Sequence, residues 1–128
     1  KKIIKYFIAQ KANFPYPLKS CLNPIAKNSK NWRRYMENHN LNYPDQYHNG
    51  GIWPFIGGFW ILALRKQGKK SLAEKELERL ALTNKINNWQ FNEWFHGKTG
   101  KPMGMAGQSW NAASFILAYN FLKGNIKI

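Results

Sequence analysis

Apolar residues gather at helical spacing into three stretches in the second half of this chain, separated by polar turns rich in Asn, Gly and Pro. The clearest stretch opens at Pro54, where a helix's first turn tolerates a missing N–H. It runs to Lys66, with Gly68 placed to end it. Apolar side chains surround it, which predicts burial on most faces. The next begins at Ser71-Leu72-Ala73-Glu74, a Ser followed three residues later by Glu, as in a capping box. From there Ala73, Leu77, Leu80 and Ala81 recur on one face and Lys75, Glu76, Glu78 and Arg79 take the other, predicting an amphipathic outer helix. Trp89 to Gly107 reads as a polar, Gly-rich loop. A third helix is expected over Ser109 to Lys123 with Ser109 as its N-cap; Trp110, Phe115, Ile116, Tyr119 and Phe121 leave it little polar face.

The first forty-odd residues carry a weaker pattern. Ile3 to Ala9 suits a short strand or helix, after which Pro15, Pro17 and Pro24 break any period. A short helix capped by Asn31 is expected to Asn38, and Tyr43-Pro44 reads as extended chain entering a turn at His48. In a plain three-helix bundle each helix keeps one face in water, yet two of these three have almost none to offer. Buried, amphipathic, buried is instead the order of a double-layered barrel. The expectation is an all-α fold, the C-terminal portion of an (α/α)6 toroid whose inner and outer helices alternate and whose loops build a site. Residues 1–45 would be an irregular lead-in and 46–128 the helices and site loops. A barrel of a dozen helices, at about 11 residues each plus loops, needs several hundred residues. These 128 residues are therefore expected to be one segment, completed by an N-terminal remainder of the barrel, with apolar helix faces uncovered on their own.

Composition narrows the partners. Twenty Lys and Arg stand against six Asp and Glu, a net charge of +14, which raises nucleic acid or an anionic membrane. The basic residues never run longer than two and form no helical stripe with the aromatics, so no specific nucleic-acid partner is expected. A small basic nucleic-acid-binding domain stays as the least favoured class. No apolar stretch approaches the roughly 20 residues needed to span a bilayer. The longest, Ile52 to Leu64, contains Pro54, Gly57 and Gly58, and no membrane partner is expected. Lys1 to Lys11 has basic ends, but its apolar part is interrupted and no small-residue cleavage site follows, so a cytoplasmic location is expected. Cys21 is the sole cysteine. It permits no internal disulfide and no paired-thiol metal site and reads as a packing residue; no metal and no cofactor are expected.

Candidate chemistry lies in two runs just outside apolar helical stretches: Gln46-Tyr47-His48-Asn49-Gly50-Gly51-Ile52-Trp53-Pro54-Phe55, and Phe91-Asn92-Glu93-Trp94-Phe95-His96-Gly97-Lys98-Thr99-Gly100. Aromatic rings beside amides and imidazoles suit sugars, whose ring faces are apolar and whose edges are hydroxyls. His48 and Asn49 are expected substrate contacts, because Gly50-Gly51 would let the backbone approach a ligand; the same glycines could instead make a tight turn. Trp53, Trp94 and Trp110 suit sugar stacking or core packing. His96 suits a sugar hydrogen bond or loop ordering, and Gln108 a hydroxyl contact. Glu93, between Asn92 and Trp94, suits a general base desolvated by aromatic cover, or a surface acid in a loop.

The segments Tyr47 to Pro54, Phe91 to Gly97, Pro102-Met103-Gly104 and Gln108-Ser109-Trp110-Asn111-Ala112 resemble the C-terminal part of α/α-barrel glycoside hydrolases. The resemblance is to bacterial proteins of the amylo-alpha-1,6-glucosidase (glycogen debranching) type and to neutral/alkaline invertases. It implies inverting hydrolysis of an alpha-glucosidic or sucrose-type bond, on an oligosaccharide or sucrose-like substrate, with Glu93 at the position of the general base. Inversion needs two carboxyl groups about 6.5 to 9.5 Å apart. The general acid of the family sits in an upstream segment with no counterpart here, and Asp45, the only Asp, lies outside the matching positions. The isolated chain would then be inactive. A noncatalytic carbohydrate-binding module is the alternative class.

Overall fold

The computed structural model describes residues 2–127, and the fold is all-α apart from one two-residue hairpin. Its elements are α1 (Lys2–Ala9), a 3-10 segment (Arg34–Asn40), α2 (Pro54–Lys66), α3 (Lys70–Trp89), β1 (Trp94–Phe95), β2 (Pro102–Met103) and α4 (Ser109–Lys123). Pro54 fixes the start of α2 at its first turn, and Gly68 takes the left-handed φ of +73° two residues past its end. Gly124 closes α4 in the same way, at φ +80°.

The core lies where α2, α3 and α4 meet, with Trp60, Ile61 and Leu64 of α2 against Ala73 and Leu80 of α3 and Ala118 of α4. The backbones come close because two glycines of α2 have no side chain. A Cβ on Gly58 would sit 2.8 Å from the Ser114 carbonyl oxygen, and one on Gly57 would sit 2.6 Å from the Pro17 carbonyl oxygen. So α2 is held between α4 and the proline-rich lead-in. α1 closes one end, where Phe7 stacks on Trp60 at 6.1 Å and Ile4 is buried.

Several sequence expectations are corrected. Residues 3–9, for which the sequence left strand and helix open, are helix. The Asn31 cap is absent: the 3-10 segment starts at Arg34 without a side-chain cap and breaks at Asn38 and His39. Ser71 caps nothing, since α3 begins at Lys70; Glu74 instead pairs with Lys70 at 3.9 Å. Regular helix in α3 ends before Ile86, where the backbone is extended, and Asn87 and Asn88 turn left-handed, as short amides tolerate.

Glu76 was expected on the solvent face of α3 and is buried. Its Oε1 accepts from Asn13 Nδ2 at 2.7 Å and from Arg79 Nη1 at 3.0 Å, so partners offset the cost of burying the charge. Arg79 also donates to the Pro15 carbonyl and lies over the Phe14 ring. The true inner face of α3 is Ala73, Glu76, Leu80, Thr83 and Asn84. Finally, the uncovered apolar faces expected of an isolated barrel segment are found on α4. Asn111, Ser114 and Ala118 are its buried residues, whereas Trp110, Ile116 and Tyr119 are 46%, 58% and 43% exposed, because α4 has α2 and α3 on one side only.

Candidate functional site

The two aromatic runs meet through backbone pairing. Ile52 and Phe95 exchange both N–H···O bonds at 2.8 Å, and Ile52 also bridges Lys19 in the lead-in. Phe95 in turn faces Pro102 across the hairpin of β1 and β2. Lys19, Ile52, Phe95 and Pro102 thus stand side by side as four short extended pieces drawn from four parts of the chain. Gly97 seals the contact: its N–H donates to the Asp45 carbonyl at 2.7 Å, and a Cβ there would run into the Gly50 carbonyl.

This pairing projects a cluster of rings. Tyr47 stacks on His48 at 4.1 Å, Trp53 lies 4.9 Å from Tyr47 and 5.3 Å from His48, and Trp94 meets the edge of Tyr47 at 5.9 Å. Trp53 donates its indole N–H to the Tyr47 carbonyl at 3.0 Å. The Ser20 hydroxyl, from the lead-in, lies 3.1 Å from the carbonyls of Tyr47 and His48. Tyr47 and Phe91 carry the strain of both turns at φ +41° and +50°, conformations that cost bulky residues about 1–3 kcal/mol and concentrate at functional sites.

A cavity of about 330 Å³ opens among Ser20, His48, Trp53, Phe55, Ile56 and Trp110, at the lower end of the roughly 300–1,000 Å³ typical of small-molecule sites. His48 is exposed at its edge, and Trp110 enters from the first turn of α4. Ser20, Phe55 and Ile56 were not singled out from sequence. The signal for the last two was their position after Trp53; Ser20 left none, because its neighbours lie 27 and 28 residues away.

The other candidates separate. Asn49 is buried, with Oδ1 accepting from the Ile25 N–H and Nδ2 donating to the carbonyls of Ile25 and Asn42, so its amide is spent on the backbone of the lead-in. Gly50 and Gly51 serve turn geometry: a Cβ at Gly51 would lie 2.5 Å from the Tyr47 carbonyl, and Gly50 has φ +101°. Trp94 is 1% exposed, a core side chain. His96 orders its own turn, with Nδ1 accepting from the backbone N–H of Lys98 and Thr99 at 3.2 and 3.4 Å. Gln108 is buried at the N-cap of α4, and its backbone N–H donates to the Phe91 carbonyl at 3.1 Å.

Glu93 is half-buried in the bend just before β1. Its backbone N–H donates to the Met105 carbonyl, and its Oε2 accepts from the Met105 N–H at 3.2 Å. Gly104, at φ +71°, leaves the space: a Cβ there would lie 2.6 Å from that carboxylate oxygen. Asn111 Nδ2 donates to the Asn92 carbonyl at 2.7 Å and fastens the start of α4 to the residue before Glu93. Around this point Asn92 Oδ1, Trp94 Nε1 and Asn111 Oδ1 are buried without a hydrogen-bond partner among the described residues. Native interiors leave few such atoms unmatched.

Fold and site together define a helical domain with an aromatic, histidine-edged cavity built on paired loops and a carboxylate carried on an adjoining hairpin. The alkaline and neutral invertase family matches residues 2–125. The chain belongs to that family, which is one of glycoside hydrolases. It is 32% identical over 110 residues to alkaline/neutral invertase C, mitochondrial, of Arabidopsis thaliana, covering 84% of this chain and 16% of that protein. It is 30% identical over 112 residues to cytosolic invertase 1 of Oryza sativa subsp. japonica, covering 84% of this chain and 19% of that protein. The chain thus spans less than a fifth of the length of these curated relatives.

Proposed function

We propose that these residues form the C-terminal segment of the catalytic barrel of an inverting glycoside hydrolase that cleaves a sucrose-type bond, and that Glu93 is its general base. The observation that carries the reading is the joining of the two aromatic runs at Ile52 and Phe95, which sets the Glu93 hairpin beside the loops that form the Trp53 cavity. The invertase names of the relatives support the substrate class. The exposed apolar face of α4 supports a longer barrel that covers it.

In this reading Trp53 and Trp110 receive the apolar face of a sugar ring, and His48 hydrogen-bonds its hydroxyl edge. Glu93 takes a proton from water as that water attacks the anomeric carbon on the face opposite the leaving group. The Met105 N–H fixes Oε2 and leaves Oε1 for the water. A second carboxyl group must protonate the leaving oxygen, and the preceding part of the barrel supplies it, so these 128 residues bind sugar without cleaving it. A cytoplasmic location is part of the proposal; the relatives themselves carry cytosolic, mitochondrial and chloroplastic names.

The test is sucrose hydrolysis by the complete polypeptide carrying this segment, comparing Glu93 with Glu93→Gln. A loss of roughly 10² to 10⁴ in kcat, with sugar affinity kept, is the contribution of an essential base. Unchanged kcat would move the base elsewhere. Sugar binding with no hydrolysis of any glycoside would favour a noncatalytic binding module, a reading that the absence of a carboxylate from the cavity wall also favours.

A further inference from the structure

Asn49-Gly50 is the only Asn-Gly pair in the chain. In such a pair no side chain shields the glycine nitrogen, and once it reaches the asparagine side chain it can attack the amide carbon. A bond forms between that nitrogen and Cγ, the Cγ–Nδ2 bond breaks, the glycine's proton leaves with the ammonia, and a succinimide ring closes. Water then opens the ring to aspartate or isoaspartate. The fold keeps both reacting groups occupied. Asn49 Oδ1 accepts the Ile25 N–H at 2.7 Å, Nδ2 donates to the carbonyls of Ile25 and Asn42 at 3.0 Å each, and the Gly50 N–H donates to Ser20 Oγ at 3.2 Å. Asn49 itself is buried. Three of these four bonds end on residues 20–25 of the lead-in, so the reaction requires that segment to detach.

We propose that Asn49 is a deamidation site that the lead-in keeps closed, and that its product cannot rebuild the His48 turn. In aspartate an oxygen replaces the amide nitrogen, so a carboxylate faces the carbonyls of Ile25 and Asn42, acceptor against acceptor with no donor between them. A buried charge without a partner is costly. Isoaspartate adds a methylene to the backbone, in a turn with no room for it. A Cβ on Gly50 would lie 2.7 Å from Pro24 Cγ, one on Gly51 would lie 2.5 Å from the Tyr47 carbonyl oxygen, and the Gly50 carbonyl abuts Gly97. Ser20 and His48, which both line the Trp53 cavity, then lose the bonds that hold them together. Each detachment of the lead-in exposes the pair to a change that reattachment does not undo.

The experiment incubates the 128-residue chain in warm, mildly alkaline buffer with and without guanidinium chloride and follows amide-to-acid conversion at Asn49 by peptide mass spectrometry. Conversion is expected to be at least about tenfold slower in the folded chain, because the hydrogen bonds to Ser20, Ile25 and Asn42 must open first. Ser20→Ala, which frees the Gly50 nitrogen, is expected to convert severalfold faster than wild type with its helical circular dichroism kept. Equal rates with and without denaturant would overturn the protection, and a Ser20→Ala rate equal to that of wild type would overturn the part given to the lead-in. The product is tested separately with Asn49→Asp. Iodoacetamide alkylation of Cys21, half-buried in the tethered segment, is expected to quicken severalfold toward its rate in denaturant while the circular dichroism stays helical. Alkylation at the wild-type rate would mean that the turn tolerates the acid and would overturn the loss of the turn; a lost helical signal would overturn its confinement to this part of the fold.

Discussion

The approach of Gly97 to Gly50 is the point at which the site is easiest to break. A Cβ on Gly97 would fall on the Gly50 carbonyl oxygen, and because both partners are backbone neither can rotate away. Substituting Gly97→Ala forces the two runs apart until that contact reaches at least 3.0 Å. Three hydrogen bonds span the gap: Gly97 N–H to the Asp45 carbonyl at 2.7 Å, and the reciprocal pair between Ile52 and Phe95 at 2.8 Å. At about 0.5–1.5 kcal/mol net for each, their loss amounts to roughly 1.5–4.5 kcal/mol. That exceeds the upper bound of about 0.5 kcal/mol expected for a surface change. The assay is urea unfolding of the 128-residue chain, wild type against Gly97→Ala, with the exposed neighbour Lys98→Ala as the control. Sucrose-induced tryptophan fluorescence, measured on both variants, should vanish with Gly97→Ala and persist in the control. A Gly97→Ala chain as stable as Lys98→Ala would mean that the two runs do not lie in backbone contact, and the placement of Glu93 beside the loops of the Trp53 cavity would fall with that contact.

Three further outcomes follow from named groups. Glu76→Ala leaves the Asn13 amide and the Arg79 guanidinium without their buried partner and should cost about 3–5 kcal/mol in urea unfolding, whereas a solvent-face Glu would cost under about 0.5. The indole N–H of Trp32, then the Lys27 ammonium, hold the Glu37 carboxyl below its usual pKa. Its stabilising contribution is therefore present above the ordinary carboxylate range and lost as pH falls through the folded-state value, so the stability difference between wild type and Trp32→Phe should shrink on acidification. Burial, followed by the charge of Asp45, raises the Cys21 thiol above its usual pKa. Its folded form keeps the proton to higher pH than the unfolded form, and alkylation at mildly alkaline pH should be slower in buffer than in urea; equal rates would refute the burial.

What the sequence made legible were the features set by neighbours along the chain. Pro54 and Gly68 bracket α2 at the observed bounds, and α4 runs from Ser109 to Lys123 as its apolar spacing required. Local rules failed where a distant partner decided the outcome. Glu76 reads as a surface charge until Asn13, 63 residues earlier, is placed beside it. The residues of β1 and β2 read as loop because two-residue strands carry no period, and Ile52 rather than any local pattern holds Phe95 extended. The amide of Asn49 suited a ligand as well as it suits the backbone of Ile25, and only the fold shows which one has it. Trp53 and Trp94 look alike in sequence. Both are almost wholly buried, yet Trp53 lines a cavity and Trp94 does not, because the Ile52 and Phe95 pairing orients the residues after one and before the other.

The lead-in, which carries no readable period, supports the site as much as the helices do. Lys19 bridges Ile52, Ser20 accepts the Gly50 N–H at 3.2 Å and reaches the carbonyls of Tyr47 and His48, and Ile25 holds both ends of the Asn49 amide. Residues 46–53 make bonds of their own, from the Asn49 N–H to the Gln46 carbonyl and from the Gly51 N–H to the Tyr47 carbonyl, and the lead-in adds the others. Their turn is completed by a segment about 25 residues upstream, and that segment is itself tied to α3 through Asn13 and Glu76. The order of dependence therefore runs from a buried ion pair on α3, through the prolines and Leu18, to the ring of His48. In such an arrangement a substitution on α3, such as Glu76→Ala, is expected to loosen the Trp53 cavity through the lead-in without touching any residue that lines it. It also explains why the prolines are useful there: with few conformations to lose on folding, Pro15, Pro17 and Pro24 lower the entropic cost of ordering a segment that has no helix or sheet of its own.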